Sequence, residues 1–247
     1  MMKNARDIFL DLMADNRKGV GKGIYSVCSA NSSVIEACLS QAKEDGTIIL
    51  IESTSNQVDQ FGGYTGMRPA DFVSYVHSIA DKVDFPKEMI LLGGDHLGPN
   101  AWQNLSSEEA MANSEVLIEE YVKAGYQKIH LDTSMFCIDD EGDRSNPLAN
   151  EVVASRAAAL GRVAEDTWKK YCSHSPEPVY IIGTEVPVPG GTQEEEDVVT
   201  VTRAEDAART ISITKQHFLD EGLESAWSRV VGIVVQPGVE FGDDQVF

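Results

Sequence analysis

The chain has 247 residues, with 40 acidic against 20 basic side chains and a formal net charge of −20. Such an excess of negative charge is repelled by phosphate backbones and anionic lipid surfaces, which excludes nucleic acid and membrane as partners. The 42% hydrophobic content is enough for a sizeable core, and no apolar run approaches the roughly 20 residues that a spanning helix needs.

The N-terminal stretch MMKNARDIFLDLMADNRKG mixes charges into a helical pattern and lacks the uninterrupted apolar segment of a signal peptide. A helix is predicted over 5–16, with Ile8, Leu12 and either Phe9 or Met13 on one face. A strand follows at 23–30. The next helix opens on a capping box, Ser33 with Glu36, and ends before Gly46. The second strand is 47–53, and the glycine-rich loop QFGGYTGM (60–67) leads to a helix from Pro69 to about residue 83. The third strand is 89–94. Ser106 with Glu109 forms another capping box, on a helix that closes at Gly125. The fourth strand, 128–133, is followed by a polar loop (137–147) and a long helix (148–172) with Arg156, Arg162, Lys169 and Lys170 on its exposed side. The fifth strand is 179–185. Thr202 with Glu205 caps the sixth helix, which stops at Gly222, and the sixth strand is 230–236. Cys28, Cys38, Cys137 and Cys172 show no C-x-x-C spacing, so free thiols in a reducing cytoplasm are expected.

Strands alternating with helices imply a parallel sheet. An open doubly wound sheet would place a G-x-G-x-x-G after the first strand, but GKGIYSVCSAN has its glycines before that strand. The expectation is therefore an α/β (β/α)8 barrel with about six of its eight strand–helix units in this chain. Residues 1–247 form a single barrel domain in this reading, the N-terminal part of a longer polypeptide, with no second domain or internal repeat.

Chemistry-bearing side chains gather at the strand ends, which in a barrel form the active-site face. Asp95 and His96 follow two glycines and offer a proton carrier and a metal ligand within one turn, with Asn100 close behind. His130 and Asp132 are two apart on one strand and share a face. They either form a supporting polar layer or touch substrate or metal directly. Glu185 precedes Pro187, Pro189, Gly190 and Gly191; it can serve as metal ligand, general base or rim salt bridge, and the glycines can cradle an anion. Glu52 and Asn56 follow the second strand. Gln236 and Glu240 flank Pro237-Gly238, where a substrate contact and an ordinary turn fit equally. The acidic run QEEEDVV (193–199) reads as a solvated loop. There is no G-x-S-x-G elbow and no P-loop.

The strings SVCSAN (26–31), IESTSNQVDQFGGYTGMRPADF (51–72), GGDHLGPNAW (93–102), KIHLDTSM (128–135), IGTEVPVPGG (182–191) and VVQPGVEF (234–241) closely resemble one family. It is that of the accessory, non-catalytic subunits of class II tagatose-1,6-bisphosphate aldolase, and the resemblance runs through the whole chain. Members have often been labelled tagatose-6-phosphate kinases. The resemblance implies a (β/α)8 barrel of galactitol or N-acetylgalactosamine catabolism. It also implies a homologous catalytic aldolase subunit as partner, in an oligomeric assembly that yields glyceraldehyde 3-phosphate and dihydroxyacetone phosphate. Relatives include metal-dependent ketose or ketose-phosphate 4-epimerases. Similarity to class II aldolases assigns Asp95 as acid/base and His96 and Glu185 as ligands of a divalent metal, with zinc expected. Asp132 and Glu52 are further catalytic candidates. Asn56, Asn100, His130, Gly190, Gly191 and Gln236 are candidates for holding the sugar phosphate.

Overall fold

The computed structural model describes residues 3–144, 147–183 and 201–238. Six strands, β1 (Ser26–Cys28), β2 (Ile49–Thr54), β3 (Ile90–Leu97), β4 (Lys128–Leu131), β5 (Val179–Ile182) and β6 (Val230–Ile233), lie side by side in chain order. Every neighbouring pair is parallel. Helices α1 (Ala5–Arg17), α2 (Ser32–Asp45), α3 (Pro69–Val83), α4 (Ser107–Ala124), α5 (Asn150–Thr167), α6 (Ala204–Asp220) and α7 (Glu224–Ser228) alternate with them. Parallel strands in unbroken chain order are the layout of a (β/α) barrel wall, whereas a doubly wound sheet reverses its order midway. Among the described residues no helix is long and apolar enough to cross a membrane.

Alternation along each strand sorts side chains between two faces. Ile49, Ile51, Leu92, Ile129, Leu131 and Tyr180 pack outward against Leu39, Phe72, Leu117, Leu160 and Phe218 of the helices. Leu50, Leu91 and Val179 point the other way and join Ile48 with Ala5 and Phe9 of α1 in a second apolar cluster. Arg6 Nε fastens α1 by donating to the Glu177 carbonyl at 2.7 Å. The inner face is thus apolar near the strand starts, under α1. Its polar residues stand one layer further along, toward the strand ends.

Most predicted elements appear with shifted ends. The Ser106–Glu109 capping box is present, and Gly46 and Gly125 end their helices in the left-handed conformation. Ser33 does not cap α2, because Asn31, one step before the helix, accepts from Ser33 N and Val34 N. Thr202 does not cap α6 either, because its hydroxyl accepts from Gln236 N at 2.8 Å. Arg156, expected on the exposed side, is buried. Asp140 in the loop after β4 folds over it and takes both guanidinium nitrogens, at 3.0 and 2.5 Å. The long fifth helix ends in a π-helical turn, Trp168–Cys172. The short α7 had no clear signal. β3 runs past its predicted end to Leu97, with a register shift between Gly94 and Leu97.

Two glycines of β3 and its exit permit this packing. A Cβ on Gly93 would overlap the Glu52 carboxylate, and one on Gly98 would overlap the Asp132 carbonyl oxygen. Gly93→Ala should therefore cost about 1–3 kcal/mol. Gly98→Ala should cost more, since backbone cannot yield as a side chain can. Urea denaturation midpoints check both the losses and their order.

Candidate functional site

The inner strand ends carry a continuous polar network. Lys128 on β4 is paired with the Glu52 carboxylate of β2, and Ser26 of β1 donates to the other oxygen of that carboxylate. The ammonium also lies 3.8 Å from Asp95 Oδ1. Glu52 and Lys128 sit on strands separated by β3, and the register places Gly93 between them. A residue without a side chain there leaves the gap that the ion pair spans.

Asp95, His96, His130 and Asp132 form the upper part. His130 Nδ1 is 2.9 Å from Asp95 Oδ1 and 3.1 Å from the His96 backbone nitrogen; protonated, it donates to the carboxylate, and unprotonated, it accepts from the N–H. His130 Nε2 faces the Gly183 carbonyl at 3.3 Å. Both ring nitrogens of His130 are therefore engaged inside the protein. His96 Nδ1 is 2.6 Å from Asp132 Oδ2, while Nε2 has Asp95 Oδ2 3.9 Å away, beyond hydrogen-bond distance. Ser134 donates to Asp132 Oδ1 through its hydroxyl at 2.7 Å and its N–H at 3.1 Å.

The backbone at His96 is left-handed, with φ 48°. A non-glycine residue rarely adopts this conformation without support. Support comes from Ser55, whose hydroxyl donates to the His96 carbonyl at 3.0 Å.

Burial opposes charge throughout this network, and the partners decide the outcome. For Asp95, burial raises the carboxyl pKa, but the His130 hydrogen bond and the Lys128 and His96 charges overcome it and hold the pKa well below the carboxylate range. For Asp132, burial is likewise outweighed, mainly by the bond from His96, and the pKa is lowered. For His96, burial lowers the imidazole pKa, yet the Asp132 hydrogen bond and the Asp95 charge prevail and raise it. Glu52 goes the other way: burial raises its pKa, and Lys128 offsets this only in part.

Several expected site residues meet here and others do not. Asp95, His96, His130, Asp132 and Glu52 are brought together. Asn100 is buried in the turn Pro99–Trp102 after β3. Asn56 sits in the loop after β2, where its carbonyl accepts from Tyr64 N at 2.9 Å. Gln236 is buried beyond β6, and its side chain accepts from Gly238 N at 2.9 Å. Glu185, Gly190, Gly191 and Glu240 lie outside the described residues. Lys128 was missed by sequence reasoning. The signal was available: Lys128, His130 and Asp132 alternate, so a polar inner face extends one residue further back.

Asp95, His96 and His130 offer ligand atoms all within 4.8 Å of one another. The chemistry of the donors favours His96 and Asp95 over His130. A metal-binding imidazole typically has its second nitrogen held by a carboxylate, which is the His96–Asp132 arrangement. A mixed nitrogen and carboxylate set suits zinc and other divalent ions.

The His96–Asp132 pair gives the metal-free fold a defined pH dependence. Because His96 is raised on folding, its contribution is complete below its unfolded value of about 6.5 and is lost as pH rises through the folded value. Asp132 is lowered, so its contribution is complete above about pH 4 and is lost as pH falls toward the folded value. Asp132→Asn should therefore lower the melting temperature most near pH 5–6, and progressively less toward pH 9. Thermal melts in EDTA across that range test this; a pH-independent deficit would mean that the pair is not ionic.

The family model for D-tagatose-1,6-bisphosphate aldolase subunits of the GatZ/KbaZ-like type matches residues 9–247. The chain is 47% identical to a protein from Sinorhizobium meliloti 1021, described as a probable tagatose 6 phosphate kinase, whose crystal structure superposes with a TM-score of 0.79. That match covers 92% of this chain and 52% of the other, so the chain spans about half the length of the relative. A fructose-bisphosphate aldolase from Campylobacter jejuni, 16% identical, superposes with a TM-score of 0.51 over 92% of this chain and 56% of that one, a likeness of fold alone. With nearly its whole length matched, the chain belongs to the GatZ/KbaZ-like family of D-tagatose-1,6-bisphosphate aldolase subunits.

Proposed function

We propose that this chain is part of an accessory subunit of a class II tagatose-1,6-bisphosphate aldolase that retains a sugar-phosphate site and works beside a homologous catalytic subunit. The observation that carries the retained site is the Asp95–His96–Asp132 arrangement at the inner strand ends. Burying these groups is costly, and a purely structural partner has no use for an imidazole nitrogen left facing a carboxylate across 3.9 Å.

In this reading His96 Nε2 and an Asp95 oxygen hold a divalent metal, with Asp132 fixing the His96 ring. Glu185 is a further ligand candidate. When bound, the metal supplies electrophilic stabilisation of the negative charge that develops as a C3–C4 bond breaks. The C4 hydroxyl must also lose its proton as the bond breaks, which calls for a base beside it; with Oδ1 engaged by His130 and Lys128 and Oδ2 turned to the metal, Asp95 serves in this reading as a ligand and not as that base. The same apparatus gives a 4-epimer if the aldehyde fragment turns its other face and recombines. A ketose-phosphate 4-epimerase is therefore the second reading, favoured by the completeness of the Asp95–His96–Asp132 group. The kinase description of the Sinorhizobium protein is a third, and no P-loop supports it.

The full-length protein separates these readings. The expected result is no turnover of tagatose 6-phosphate or fructose 6-phosphate alone, and stimulated cleavage of tagatose 1,6-bisphosphate when the catalytic subunit is added. Interconversion without a partner would replace the accessory reading by the epimerase, and ATP consumption with tagatose 6-phosphate would install the kinase. Independently, Zn2+ titration should show binding that Asp132→Asn weakens about 10–100-fold and His96→Ala weakens further.

A further inference from the structure

Lys128 takes part in none of the steps above, yet its side chain is only 8% exposed and stands inside the network. Its ammonium is paired with Glu52 across Gly93 and lies 3.8 Å from Asp95 Oδ1. The same Asp95 oxygen is 2.9 Å from His130 Nδ1, whereas Oδ2 is the one turned toward His96 Nε2. Two groups thus converge on one carboxylate oxygen and leave the other for the site.

We propose that Lys128 is a positioning residue for Asp95, an internal cation that ties Glu52 and Asp95 together and presents Asp95 Oδ2 to the space beside His96. The inference rests on the reading of Asp95 and His96 as the metal-holding pair. Its competitor is that Lys128 only balances Glu52. The two differ in what happens when both members of the pair are removed. Glu52→Gln with Lys128→Met leaves the net charge unchanged, so a general Coulomb effect on a bound cation largely cancels, and no buried charge of the pair is left unpartnered.

The experiment uses the full-length protein and Zn2+ alone as the probe, with thermal melts confirming that each variant is folded. If Lys128 positions Asp95, the folded double variant binds Zn2+ at least tenfold more weakly than the parent. Parent-like affinity overturns the inference while leaving the metal reading intact. Loss of that reading looks different: the parent itself fails to bind Zn2+, or His96→Ala binds as well as the parent. A second measurement holds should the double variant not fold or the parent bind no metal. Asp95→Asn in the parent background should shift the side-chain 15Nζ resonance of Lys128. An unmoved resonance means that the ammonium does not serve Asp95.

Discussion

The constraint on which the rest depends is the cost of placing Glu52, Asp95 and Asp132 on the inner face of a parallel sheet. An unpaired buried carboxylate costs several kcal/mol, so each must have a partner within the network. Glu52 has Lys128 and Ser26, Asp95 has His130 and Lys128, and Asp132 has His96 and Ser134. Those pairings dictate local backbone choices. Lys128 and Glu52 belong to strands that are not neighbours, and they meet because the strand between them offers Gly93 at the crossing level. Breaking a buried pair by deleting one member typically costs about 3–5 kcal/mol, far more than replacing both.

A second consequence concerns β3. Consecutive residues in a regular strand point to opposite faces, yet Asp95 and His96 both reach the same inner network. The register shift between Gly94 and Leu97, with left-handed backbone at His96, resolves the conflict. An irregularity in a strand that re-aims a side chain is a common device beside functional sites. It comes with backbone strain, offset here by the hydrogen bond from Ser55 to the His96 carbonyl. The strain therefore lies at the residue whose imidazole Nε2 faces Asp95.

Much of this was legible in the residues. Apolar runs at regular intervals gave the strand order. The pair Asp95-His96 and the alternation of His130 with Asp132 pointed to the site, and the inward face left open for that strand is now settled by the network. Lys128 was missed although it alternates with His130 and Asp132, because a lysine opening an apolar strand reads as a solvated strand start. Only the missing side chain at Gly93, on the strand between Lys128 and Glu52, shows why it can be buried. The two cap errors have different causes, one local and one tertiary. Asn31 outcompetes Ser33 by standing immediately before the helix, and Thr202 is engaged by Gln236 from a distant loop. Arg156 was misjudged for the second of these reasons, since its partner Asp140 lies in a loop whose path no local pattern fixes.

The charge balance of the site links its resting form to its proposed ligand. Glu52, Asp95 and Asp132 outnumber the single ammonium of Lys128 in the network, and the raised His96 reflects that deficit of positive charge. The imidazole is bonded through Nδ1 to Asp132 and faces Asp95 through Nε2, so the two carboxylates favour its protonated form. A divalent ion at Nε2 would take the place of that proton, and metal binding with proton release is the general pattern for histidine ligands. The Asp132 bond that orients the ring for one serves equally for the other. If the proposed metal binds here, the carboxylates that favour a proton on the His96 ring are the ones that would favour the cation.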